Sequence, residues 1–452
     1  MDSKATVNSR YKDLYDLSIG KIEEGSTPFI NSFRGDAMEK FNLLGIPTKK
    51  LESYRYTNLD VFFRHEYKNY FMPEPEDFIH AEAFHCEVED LDVHNLVLLN
   101  GFYPTNNGKL RTIPSGVVIG SLNEAAKVHS KIVERHYGKY ALSDTDGLIS
   151  LNTAMASDGV FIHVPAGKVL DKPVQIVNLV KSDDDTFVQH RNLIVVEENA
   201  EATIIICDHT LSPMRFLTNA VTEVYVGANA RFNIVRVQNE HNNAAKLTHT
   251  FIHQERSSYA SSNNITLHGG LVRNSTYHYL GGEGADTHSS GLYLTDKSQH
   301  VDNYVNIDHA FPNCTSNQLF KGVIDDVATG AFNGRILVRP DAQGTRAYQS
   351  NNSILMTDAA KMDTKPQLEI FADDVKCSHG ATIGQLDQDA LFYLISRGID
   401  RREARLMLMF GFAHEVIQEI PVEALRERMD NLVMQRLRGE LSRCASCMVK
   451  CS

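Results

Sequence analysis

The sequence predicts a mainly β chain: a parallel β-helix held between two helical regions. Three observations carry this. Two segments superimpose at a spacing of 30 residues, IVVEENAEATII (194–205) and VYVGANARFNIV (224–235). Asn199-Ala200 falls on Asn229-Ala230, Val196 on Val226 and Ile204 on Ile234. Between 91 and 375, short runs rich in Val, Ile, Thr and Tyr alternate with Gly, Asn and Asp, as strands alternate with tight turns. Helical spacing returns on both sides. A strand, an Asn turn and a strand, recurring near thirty residues, make one coil of a solenoid. Inward side chains then stack in columns and backbone groups pair between coils. A two-sheet sandwich is the rival reading, because short strands at ~10-residue spacing also describe it. The stretch 91–375 is long for one sandwich, which favours the solenoid.

The N-terminal region, 1–90, reads as helical. In PFINSFRGDAMEKFNLLGIP, Phe29, Phe33, Ala37, Phe41 and Leu44 share one helix face, Gly45 caps the end, and Pro47 follows. TKKLESYRYTNLD mixes basic, aromatic and polar residues, and reads equally as a packed connector or a binding segment. Within the core, GGEGADTHSSG and DVATGAFNG are candidate later turns.

The C-terminal region, 376–452, turns helical near Asp387, an N-cap, with Gly398 as terminator. Asp400 with Glu403 suggests a capping box, and Pro421 a first-turn position. Leu425, Met429, Leu432 and Leu437 form one stripe, which in a helix of this kind is usually core, with a docking face for another protein as the lesser reading.

Composition narrows the function. With 45 basic against 57 acidic residues the net charge is −12, so a general binder of nucleic acid or anionic membrane is not expected. No run approaches the roughly 20 apolar residues of a membrane span. The polar start MDSKATVNSRYKD is unlike an export signal. Seven cysteines, several far apart, suggest free thiols in a reducing cytoplasm.

Few constellations carry chemistry. In DDVKCSHGATIG, Cys377 and His379 are two residues apart, so in a strand they face one side. A thiolate and an imidazole ligate iron or zinc only when other groups complete the set. The pair therefore reads either as a buried thiol beside a hydrogen-bonded histidine or as an open site that another chain completes. The tail thiols Cys444, Cys447 and Cys451, in CASCMVKCS, are three ligands of unassigned role. His300 and Asp302 could share a face without suggesting catalysis, and paired carboxylates at 183–185, 325–326 and 373–374 read as solvated turns. GGEGADT lacks the Lys-Ser/Thr of a P-loop, so an ATP-driven step would need a partner. A β-helix enzyme acting on polysaccharide is a different class of reading. It would need a groove lined by acids.

KPQLEIFADDVKCSHGATIGQLDQDALFYLISRGI (365–399) resembles the C-terminal signature of the SufD family, subunits of the SUF iron–sulfur cluster assembly system. GIPTKKLESYRYTNL (45–59) is similar to the family's N-terminal signature, and the segments from GGEGADTHSSGLYL through AYQSNNSILM to its middle region. The resemblance implies a right-handed parallel β-helix with helical flanks and a non-enzymatic, cytoplasmic scaffold. Such a scaffold pairs with a SufB-type subunit and docks a SufC-type ATPase on its C-terminal helices. Sulfur arrives from a cysteine desulfurase system, and a reduced flavin accompanies some complexes. The cluster is nascent and shared with SufB. The family's interface histidine, implicated in cluster formation, corresponds to His379, a tentative metal ligand, with Cys377 beside it. The ATPase contact is expected at Leu391, Phe392, Tyr393, Arg397, Met407 and Phe410. SufB-type chains carry a cysteine where Asn351 and Asn352 stand, and Glu-His-Glu where Ser378-His379-Gly380 stands. Both departures favour the SufD type and speak against a self-sufficient cluster site; a SufB-like or homodimeric cluster scaffold is the alternative.

Overall fold

The computed structural model describes residues 3–69, 91–103 and 110–441. The strands, in chain order, are β1 (Lys68–Asn69), β2 (His94–Leu99), β3 (Leu110–Thr112), β4 (Val118–Ser121), β5 (Val160–Val164), β6 (Val174–Val180), β7 (Thr186–Val196), β8 (Glu201–Thr210), β9 (Phe216–Val226) and β10 (Arg231–Asn239). They continue as β11 (Ala244–Gln254), β12 (Tyr259–His268), β13 (Leu271–Leu280), β14 (Asp286–Thr295), β15 (His300–His309), β16 (Thr315–Ile324), β17 (Thr329–Val338), β18 (Thr345–Leu355), β19 (Lys361–Ile370) and β20 (Val375–Gly384). From β5 onward odd strands build one sheet and even strands the other, and β7 and every later strand pairs in parallel with the strand two before it. This is a parallel β-helix, and its last strand runs to Gly384.

The thirty-residue repeat is real: Glu201 pairs with Arg231 and Ile204 with Ile234. One corner of each coil needs a left-handed residue. Asn199, Asn229, Ser257, Gly284, Asn313 and Gly344 supply it, with φ between 55° and 73°. Asparagine and glycine tolerate this conformation better than other residues. The Asn229 side-chain amide also donates to Asn199 Oδ1 at 3.2 Å, joining adjacent corners.

In the early coils one part of the interior is apolar, and another holds the buried ion pair of Lys246 with Asp208 at 2.9 Å. Ile176, Ile204, Ile206 and Ile234 of one sheet meet Ile194, Val196, Val224 and Val226 of the other, all buried. Outside, each sheet is covered by helices. The helices Arg401–Ile417 and Glu423–Arg438 lay Val416, Ile417, Leu425, Met429 and Leu432 on Val235, Val237, Ile265 and Leu267. The N-terminal helices bury Phe41 and Phe63 against Phe187, Leu217 and Leu247.

Helix ends follow the expected signals with two differences. Asp387 accepts from the backbone of Asp389 and Ala390, Asp400 from that of Arg402, and Gly398 turns at φ 88°. Glu403 closes no capping box. It accepts from Arg438 at 3.1 Å. Pro421 precedes the last helix, which Val422 opens. The stripe from Phe29 to Leu44 spans two helices, Pro28–Asn31 and Arg34–Leu44. Ala37 and Phe41 are buried on it, while Leu44 is exposed.

TKKLESYRYTNLD is a packed connector. Tyr54 is buried and donates to Asp146 at 2.6 Å, and the Arg273 guanidinium lies 4.0 Å over its ring. Thr57 sits 3.0 Å from His300 and donates to Asp302, which also pairs with Arg273. His300 and Asp302 thus clamp the N-terminal region onto the coil.

Candidate functional site

The two sheets end on β19 and β20, whose outer edges pair with no described strand. At this end the solenoid carries no helical cap among the described residues. β19 holds Pro366, which lacks a backbone donor, and Lys361 and Lys365, devices that blunt an edge. β20 has no proline and is exposed over most of its length.

β20 pairs with β18, setting Ala347 beside Cys377, Gln349 beside His379 and Asn351 beside Ala381. Val375 and Cys377 pack on Ile336, Val338 and Ala347, side chains from both sheets, so they face the interior. By the two-residue alternation His379 faces the same way. No further coil covers it, and it is exposed. The anticipated common face for Cys377 and His379 is therefore present, and the histidine stands at the open mouth of the coil.

Beneath His379 runs a column that changes chemistry along the helix. Strand register stacks Val174, Ile204, Ile234, Ser262, Ser289, Gln318, Gln349 and His379. Ser262 donates to Ser289 at 3.0 Å, and Gln349 donates to Gln318 at 2.9 Å. Apolar at one end, the column becomes hydroxyl, amide and finally imidazole at the other. Beside it Asn351 donates to the buried Tyr293 hydroxyl at 3.4 Å. Spacings of 31 and 30 residues link Gln318, Gln349 and His379, so an extended repeat alignment would have found this column.

Cys377 is half-buried, and burial pushes its thiol up, so it is a poor nucleophile at neutral pH. Asp373 and Asp374 make no hydrogen bond to the His379 ring. Asp374 instead donates its backbone N–H to Gln343 Oε1 and accepts the Gly344 N–H at its carbonyl. Among the described residues no group of three or more His, Cys, Asp or Glu side chains is arranged to hold a metal ion. Two donors at an open mouth cannot complete an iron site unaided. The hydroxyls, amides and lysines around them are also not the apolar slot that a flavin ring packs into. Cys444, Cys447 and Cys451 lie outside the described residues.

The residues anticipated for the ATPase contact divide. Phe392 is 73% and Tyr393 56% exposed, both on the helix Gln388–Ser396, and Met407 is 45% exposed. Arg397 stacks 5.1 Å from the Tyr393 ring. Phe410 is half-buried against His414. Leu391 corrects the expectation: at 4% exposure it anchors its helix inward and offers no surface.

Residues 178–412 match the family model described as SUF system FeS cluster assembly, SufBD core domain, and residues 5–176 match the SufBD protein N-terminal region. An iron–sulfur cluster assembly SufBD family protein of Synechocystis is 30% identical, covering 92% of this chain and 90% of that protein. The iron–sulfur cluster assembly protein SufD of Escherichia coli is 29% identical over 87% of this chain and 90% of its own. The protein SufB of Bacillus subtilis is 27% identical over 72% and 70%.

Proposed function

As the chain belongs to the SufBD family of iron–sulfur cluster assembly proteins, we propose that it is the SufD-type scaffold subunit of a cytoplasmic SUF complex. Its coil end joins a SufB-type subunit, and its terminal helices carry a SufC-type ATPase on Phe392, Tyr393 and Met407. His379 presents its imidazole across the SufB interface to the nascent cluster, which is cargo and not a resident group. SufB supplies most of the sulfur ligands, and sulfur comes from a cysteine desulfurase system. A reduced flavin, in those complexes that carry one, belongs to the assembly and not to this chain's own site. The ATP-driven step acts through the helices and shifts the interface between two states.

One observation carries this reading. The coil end formed by β19 and β20, whose outer edges pair with no described strand, is the one that bears the exposed histidine. A coil end of unpaired backbone is built to be extended by another chain. It also favours self-pairing when the chain is alone, which keeps a homodimer as the second reading.

His379→Ala tests the role. We expect cluster formation in cells to be lost, while the melting temperature of the purified chain stays within about 2 °C, as for an exposed substitution. Cluster formation at the wild-type rate would remove His379 from the mechanism.

A further inference from the structure

The interior column beneath His379 ends on an acceptor that nothing satisfies. Gln349 is 4% exposed, and its carboxamide reaches across the coil to Gly334, where a Cβ would stand 2.2 Å from Nε2. That nitrogen donates back to Gln318 Oε1 at 2.9 Å, one coil earlier. The two ends of a carboxamide diverge, so Oε1 is turned away from Gln318. It is closed off from solvent and has no hydrogen-bond partner. A buried acceptor without a donor is costly, so a donor is expected within its reach.

The last coil limits the choice. Of the side chains it turns inward, only those of Thr364, Cys377 and His379 carry a hydrogen to donate. Register sets Thr364 over Phe332 and Cys377 over Ala347. His379 alone lies over Gln349. Adjacent strands are about 4.8 Å apart and the imidazole turns about its side-chain torsions, so a ring N–H of His379 reaches Oε1 without backbone movement. In this structure the ring is exposed and the contact is open.

We propose that Gln349 is the positioning residue of His379. The ring turns inward and donates one N–H to Oε1. This fixes a single tautomer and leaves the lone pair of the other nitrogen free at the coil mouth, as a metal-ligating imidazole needs. Gln318 in turn holds the carboxamide of Gln349 with its oxygen toward the ring. The proposal rests on the reading of His379 as the working group of the coil end.

Nitrogen NMR of the full chain, labelled on its histidine rings and measured at about pH 8.5, where an ordinary imidazole is neutral, tests this. The His379 signals are assigned by their loss in His379→Gln. One protonated and one unprotonated ring nitrogen are expected, as for a single tautomer. Gln349→Met, apolar and of similar length, is expected to average the two nitrogen shifts with an unchanged circular dichroism spectrum. Gln349→Glu is expected to restore the single tautomer, because Gln318 can turn its unpartnered Nε2 toward the new carboxylate. Thr364→Val, inward in the same coil but over Phe332, should leave the shifts as they are. In cells, Gln349→Met should lower cluster formation about tenfold, and Gln349→Glu should recover it. Averaged shifts in the parent chain, or a single tautomer that survives Gln349→Met, would each overturn the contact. Normal cluster formation in Gln349→Met beside its loss in His379→Ala would overturn the positioning role. The ring signals report the contact and His379→Ala reports the cluster role, so each can fail without the other.

Discussion

His379 is exposed because of its place in a column, not because its surroundings are unusual. One coil earlier the same position is Gln349, 4% exposed and bonded to Gln318. The pair Cys377 and His379 was legible in the sequence, since alternation alone puts them on one face. What the sequence could not give was the side of the strand, in or out, because that depends on packing from the other sheet. Deeper in the coil, single residues carry larger loads. Glu223, fully buried, accepts from Arg191 at 2.7 and 3.0 Å and from the backbone N–H groups of Gly138, Tyr140 and Ala141. Removing one partner of such a pair strands a buried charge. Glu223→Ala should therefore lower unfolding free energy by about 3–5 kcal/mol in urea titrations. A loss below about 1 kcal/mol would mean that water replaces the carboxylate.

At the scale of elements, the two edge strands differ. Pro366 and two lysines guard β19, whereas β20 offers an unbroken exposed edge. The isolated chain should accordingly self-associate through β20. An inward-pointing charge on the last coil opposes stacking of another coil. Ala381→Lys, placed over Asn351, should shift the chain to monomer in light scattering after gel filtration. A dimer that persists would move the contact elsewhere. The repeat was readable only where Asn recurs at 30 residues. Later corners are spaced 28, 27, 29 and 31 apart and use Ser, Gly or Asn, since several residues reach a left-handed turn. Leu391 misled for a related reason: an amphipathic helix shows which residues are apolar, not which stripe is already covered.

For the molecule as a whole, the fold buries histidines and so keeps them neutral. His190, His249 and His278 are each pushed down to about 3. Unfolded, they titrate near 6.5, so below that pH the unfolded chain takes up protons the native one refuses. Stability is fully present above pH 6.5 and falls as pH drops toward 3, by about 1.4 kcal/mol per pH unit for each histidine. Asp158, raised to about 6 by burial, opposes this in part. The melting temperature should fall steadily from pH 7 to pH 5, and His278→Asn should flatten that slope. A flat profile in the parent chain would show that these rings reach solvent. The fold class was plain from the sequence because thirty-residue recurrence has few physical explanations. The seat of the N-terminal connector on the coil was not, because Arg273 and the Ser53 carbonyl it bonds stand 220 residues apart.

The order of the strands has a temporal side. A ribosome releases the N-terminal helices and the early coils first, and each later coil has a finished template to close upon. The mouth that holds His379 is the last coil made before the terminal helices. The open edges of β19 and β20 thus come into being only after everything beneath them is in place, so a chain that stalls midway never presents them.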